Sequence, residues 1–106
     1  MYAVVRTDLA FTAGKTASQA GHAFLDSFLK SSPEITKAYL ADGGGTKVVL
    51  AVDSEKRLRQ VYDCATQAGL PCSLIIEDDG TATAAGIGPA ARDSIRPITK
   101  RLSLMK

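Results

Sequence analysis

The chain has 106 residues, 45% of them hydrophobic and 23% charged, with a formal charge of +2 at neutral pH. That length allows one core and one domain, residues 1–106, and the composition excludes disordered and fibrous classes. No apolar run reaches the ~18 residues of a membrane span, Arg6 and Asp8 interrupt any secretory signal, and Cys64 and Cys72 make no disulfide framework; a reduced, cytoplasmic protein with no membrane partner is expected.

Residues 2–8 (YAVVRTD) hold an Ala-Val-Val run with the β-branched bias of a strand. Residues 15–30 predict a helix with Ala17, Gly21, Phe24 and Phe28 on its apolar side. Lys15, Gln19, His22 and Asp26 form the opposite stripe. Ser32-Pro33 reads as an N-cap followed by proline at the first helical position, and this short helix should stop at Asp42, before Gly43-Gly44-Gly45. Residues 46–52 (TKVVLAV) predict a second strand. Ser54 caps the next helix, whose apolar stripe is Leu58, Val61, Tyr62 and Ala65; Gly69 and Pro71 end it. Residues 72–76 (CSLII) predict a third strand. Gly88-Pro89 opens a last short helix that Pro97 limits, and residues 101–105 (RLSLM) alternate as an edge strand. This order predicts an α/β fold, a mixed sheet of four or five strands between helices, with parallel neighbours and right-handed crossovers.

Candidate chemistry gathers at two places. The loop after the first strand leads into a helix N-terminus, which can hold an anion, and Lys15 adds positive charge there. Ala13-Gly14-Lys15-Thr16 looks like the end of a P-loop, but Leu9 stands where that motif needs glycine. His22 is the single histidine and can move a proton near neutral pH. One histidine with no cysteine or carboxylate at ligand spacing makes a poor metal site, so no metal is expected. A solvated helix face is the plain alternative for this stripe. Glu77-Asp78-Asp79-Gly80-Thr81 follows the third strand directly, where ligands of open α/β sheets collect. Asp78 is a candidate base or substrate anchor, Thr81 and Thr83 bring hydroxyls, and an acidic turn is the plain alternative. Cys64 and Cys72 read as packed thiols. Lys56, Arg57 and Arg59 read as a solvated face, whereas Arg92, Arg96, Lys100, Arg101 and Lys106 suit nucleic acid, without interleaved aromatics for base stacking.

The segment GKTASQAGHAFL resembles the Gly-Lys-x-x-x-Gln-x-x-His signature of type-2 peptidyl-tRNA hydrolases. VVRTDL, TKVVLAV, GLPCSLIIEDDG and TAAGIGPAARDSIRPITKRLSLMK resemble four further family stretches in the same order, so the resemblance spans essentially the whole chain. It implies a three-layer α/β/α fold, no metal or organic cofactor, and cleavage of the ester between peptide and tRNA in peptidyl-tRNA. It also implies roles. Lys15 would hold substrate phosphate or the developing oxyanion, with Gln19 and His22 at the other signature positions. Asp78 would orient water, and Thr81 and Thr83 match the two family threonines. With tRNA as the partner, Arg96 and Arg101 of the basic cluster would contact its phosphates. Relatives are often dimeric, and the edge strand at 101–105 allows a homodimer. Asp79 stands where the family has a small residue and Gly80 meets Thr81 directly, which motivates an alternative: a non-catalytic or differently specific binding module on the same fold.

Overall fold

The β-branched runs become strands and the periodic segments helices in the computed structural model, which describes residues 1–43 and 45–106. The order is β1 (Tyr2–Arg6), α1 (Ala13–Leu29), α2 (Pro33–Ala41), β2 (Val48–Val52), α3 (Glu55–Gln67), β3 (Cys72–Ile76), β4 (Ala82–Ile87), α4 (Arg92–Thr99) and β5 (Ser103–Leu104). Ser32 and Ser54 cap α2 and α3 through their side chains, as their positions predict, and Thr12 caps α1. Helix α2 ends at Asp42 as expected; Gly44, in the glycine run behind it, lies outside the described residues.

The five strands lie in the order β3-β4-β1-β2-β5. β1 and β2 are parallel, while β4 runs antiparallel to both β1 and β3, and β5 antiparallel to β2. The carboxyl ends of β1, β2 and β3 and the start of β4 therefore share one end of the sheet. Helix α1 covers one face over Ala3, Val5 and Ala84. Helices α3 and α4 cover the other, where Val4, Leu50, Leu58, Val61, Ala85, Ile87 and Ile95 form the larger core. The result is the expected three-layer α/β/α arrangement with a mixed sheet. Among the described residues no helix is long and apolar enough to cross a membrane.

Four expectations are corrected. β4 (ATAAGI) has no counterpart in the sequence reading, yet all six of its residues are buried. The last helix starts at Arg92 rather than Gly88-Pro89, and Pro97 sits inside it near its end, where the missing N–H costs one helical bond. Cys64 is exposed rather than packed. The buried stripe of α1 is Gln19, Ala20, Ala23 and Ser27, whereas Ala17 and Gly21 are exposed. Small side chains are needed because α1 lies directly on β4. A Cβ on Gly86 would overlap the carbonyl oxygen of Ala23, and the Ser27 hydroxyl donates to the Gly88 carbonyl at 2.5 Å.

Candidate active site

The first turn of α1 and the β3–β4 hairpin meet at the shared sheet end. Gly80 takes φ +87°, a value that glycine adopts without steric cost, and its N–H donates to the Glu77 carbonyl at 2.9 Å. The Glu77 N–H donates to the Thr81 carbonyl at 2.9 Å and so closes the hairpin. Asp79 accepts from the Thr81 N–H at 2.9 Å, and that bond holds its carboxyl below the ordinary range. Asp79 therefore has a turn-building role.

The register of β3 against β4 slips at the hairpin. Ile75 pairs with Ala84 but Ile76 pairs with Ala82, so Thr83 is the extra residue of a β-bulge. The bulge turns Thr83 toward α1, where its buried hydroxyl donates to Gln19 Oε1 at 2.6 Å. The Gln19 amide then donates to Glu77 Oε1 at 3.0 Å, and Lys15 Nζ lies 3.8 Å from the same oxygen. The Lys15 ammonium also sits 5.2 Å from the centre of the Phe11 ring. These groups border a depression of about 430 Å³ lined by Leu9, Phe11, Lys15, Glu77, Asp78, Asp79, Thr81 and Thr83.

Four expected residues (Lys15, Asp78, Thr81 and Thr83) thus line one depression, and Gln19 lies buried beneath it. His22 is exposed on α1 and does not line it. Arg101 lines a separate depression with Thr7, Asp53, Arg57 and Ser103, at the same sheet end beyond β2. Arg96 is exposed on α4 and borders neither. Glu77, Leu9 and Phe11 escaped the sequence reading. Glu77 was legible in principle: Ser73 and Ile75 face α1, and period-two alternation puts position 77 on that side too. Among the described residues no three His, Cys, Asp or Glu side chains group as metal ligands.

Behind the depression lies a buried guanidinium. Arg6, 8% exposed, makes a two-pronged contact with Asp8, through Nε to Oδ1 at 3.0 Å and Nη2 to Oδ2 at 2.5 Å. Its Nη1 donates to the Ala82 carbonyl at 3.0 Å and to Glu55 Oε1 at 3.2 Å. Glu55 Oε1 also accepts from the Ala82 N–H at 3.3 Å, while Oε2 accepts from Arg59 at 3.0 Å. Hydrogen bonding from Arg6 holds the Asp8 carboxyl below its ordinary range; hydrogen bonding from Arg59, then from Ala82, does the same to Glu55.

Depressed folded-state values fix the sign of the pH response. The stabilisation is present above the unfolded carboxylate range, about pH 4, and is lost as pH falls through the lower folded values. Melting temperature should therefore hold from neutral pH to about 5 and fall toward pH 3. Arg6→Met should melt lower at pH 7 and lose less on acidification. Parallel curves for the two proteins would remove the Arg6 cluster as the source.

A sequence profile of the family described as Peptidyl-tRNA hydrolase PTH2 matches residues 1–105. The chain is 39% identical to a protein named peptidyl-tRNA hydrolase from Methanocaldococcus jannaschii, over 99% of this chain and 98% of that one. Identity is 41% to the protein of that name from Methanococcus vannielii, over 96% and 95% of the two chains. It is 38% to the one from Halobacterium salinarum, over 93% of each.

Proposed function

The chain belongs to the Peptidyl-tRNA hydrolase PTH2 family, and on that premise we propose that the depression beside Lys15 is where the ester between peptide and tRNA is hydrolysed. The protein is a hydrolase of peptidyl-tRNA, and its product tRNA returns to translation. The observation that carries the assignment of the site is the Lys15–Glu77–Gln19–Thr83 chain of contacts beside Asp78.

The reaction is acyl transfer to water. Attack at the ester carbon puts negative charge on its oxygen, and a fixed cation or donor must meet that charge. Lys15, in the first turn of α1, brings an ammonium to the rim beside the N–H groups of the helix start. The Thr83 proton is committed to Gln19, so its oxygen offers lone pairs to the depression and can accept a hydrogen bond from the attacking water. Asp78 lines the same wall and can take that water's proton. As the tetrahedral intermediate collapses, the leaving 3′ oxygen of the terminal ribose takes the proton that Asp78 accepted from the water, which returns Asp78 to its carboxylate form. His22, exposed and outside the depression, has no part in this scheme, and the general base is Asp78. Thr81 acts through the hairpin, by the bond its N–H gives to Asp79.

The binding-module alternative loses its ground. Asp79 is engaged in the turn, and full-length relatives at about 40% identity are named as hydrolases. Peptidyl-tRNA arises at the ribosome, so the proposed place of action is the cytoplasm. A homodimer would form through the short edge strand β5, where Leu104 is 66% exposed; light scattering that reads one chain would exclude it.

The test is single-turnover release of deacylated tRNA from an N-blocked aminoacyl-tRNA. Clean protein in excess should release it; no release would overturn the reading. Binding should weaken linearly with log salt concentration, because phosphate contacts dominate. Replacing Arg96 or Arg101 by alanine should each flatten that slope by about 1 and leave cleavage of a minimal esterified 3′ end unchanged. A slope that stays the same in both variants would place the phosphates elsewhere.

A further inference from the structure

The start of β4 is held in an unusual way. Pairing between β1 and β4 ends at Val5↔Ala84, so Ala82 lies beyond the β1 ladder, while it still pairs with Ile76 of β3. In an antiparallel strand the N–H and C=O of one residue point to the same side. For Ala82 that side is closed by two side chains instead of a strand. Arg6 takes the carbonyl at 3.0 Å and Glu55 takes the N–H at 3.3 Å, and the two side chains pair with each other at 3.2 Å. Both ends are themselves anchored, Arg6 by Asp8 and Glu55 by Arg59. Ala82 is fully buried and adjoins the bulge residue Thr83.

We propose that the Arg6–Glu55 pair is a positioning clamp for the hydrolysis: by gripping both backbone groups of Ala82 it holds the bulge, and the bulge aims Thr83 at Gln19 and the reacting water. Neither residue lines the depression, so in this scheme neither touches the reacting ester. Arg6 suits the task because its planar fork serves Asp8 with one edge while Nη1 serves Ala82 and Glu55. Without the clamp, the Ala82 N–H and C=O lose their partners on the β1 side. The short ladder beyond the bulge can then relax toward regular register. That relaxation would swing Thr83 off α1, since a one-residue shift exchanges the faces of a strand.

The inference rests on the hydrolase reading above, and the test separates the two. Glu55→Ala should cut the single-turnover rate at saturating enzyme by about tenfold to a hundredfold, the scale of a misplaced reacting group. Half-saturating concentration should change less than about twofold, because no phosphate contact is removed. Glu55→Gln keeps an oxygen for the Ala82 N–H and should recover most of the rate. The side-chain amide signals of Gln19 in ¹H–¹⁵N spectra should move in Glu55→Ala and return in Glu55→Gln. If Glu55→Ala does not fold, Arg6→Lys replaces it, keeping the charge but losing the fork. A merely structural pair would lower the melting temperature, with the rate per folded molecule unchanged. That result, or unmoved Gln19 signals, overturns the clamp. If the unmutated protein fails to release tRNA, the hydrolase reading falls, and the clamp stands or falls on the Gln19 signals.

Discussion

Replacing Lys15 by alanine lowers the single-turnover rate of tRNA release by about 10²–10³-fold, the cost of losing one donor to a developing oxyanion. The expectation follows from where the ammonium is held. It lies between the Phe11 ring at 5.2 Å and Glu77 Oε1 at 3.8 Å, and it lines the depression with Asp78 and Thr83. Its side chain is half exposed in the free protein, so the contact with Glu77 alone contributes little to stability. Melting temperature should therefore barely change, while the chemical step slows. A rate within about threefold of the unmutated protein would exclude Lys15 from oxyanion stabilisation. Asp78→Asn should also slow release and share the insensitivity of stability, because Asp78 is an exposed hairpin residue.

The second large effect is on folding. Gly86→Ala places a methyl group against the backbone carbonyl of Ala23 and the Cβ of Ser27, and neither neighbour is the free end of a flexible side chain. Helix α1 must lift away from β4, and overpacking of this kind costs about 3 kcal/mol. For a domain of this length that corresponds to a drop in melting temperature of roughly 15 °C. Gly21→Ala supplies the control. It lies on the exposed side of the same helix, where an added methyl meets nothing within 4 Å, and should stabilise by about 0.5–1 kcal/mol. Equal melting temperatures for Gly86→Ala and the unmutated protein would mean that α1 does not seat on this glycine. Lifting α1 also draws Gln19 from Thr83, so the variant that does fold should be slow in tRNA release.

These two effects mark what the sequence made visible. Lys15, Gln19, Asp78 and Thr83 stood out because they follow strands or recur at helical spacing, and the resemblance pointed to the same residues. β4 did not stand out. Its sequence, ATAAGI, lacks the consecutive large apolar residues that marked β1 and β2 (Val-Val) and β3 (Leu-Ile-Ile), and it is small-residue-rich because α1 packs against it so closely. The same cause hid the buried face of α1. Phe24 and Phe28 drew the apolar stripe toward themselves, while the true contact is made by Ala20, Ala23 and Ser27 together with a glutamine whose polar atoms are satisfied by Thr83 and Glu77. The Arg6–Glu55 pair joins residues 49 apart, and no local pattern announces it.

The placement of β4 also sets a schedule. In the sheet it separates β1 from β3, yet it is made after both. A chain growing from its N-terminus can build α1 and its capped first turn early. It cannot join β3 to β1 until residues 82–87 have arrived and slipped between them. Thr83 arrives with that same strand, 64 residues after the glutamine it must meet. An enzyme that frees tRNA from nascent peptides therefore completes its proposed reactive centre only after residues 82–87 have threaded into the middle of the fold.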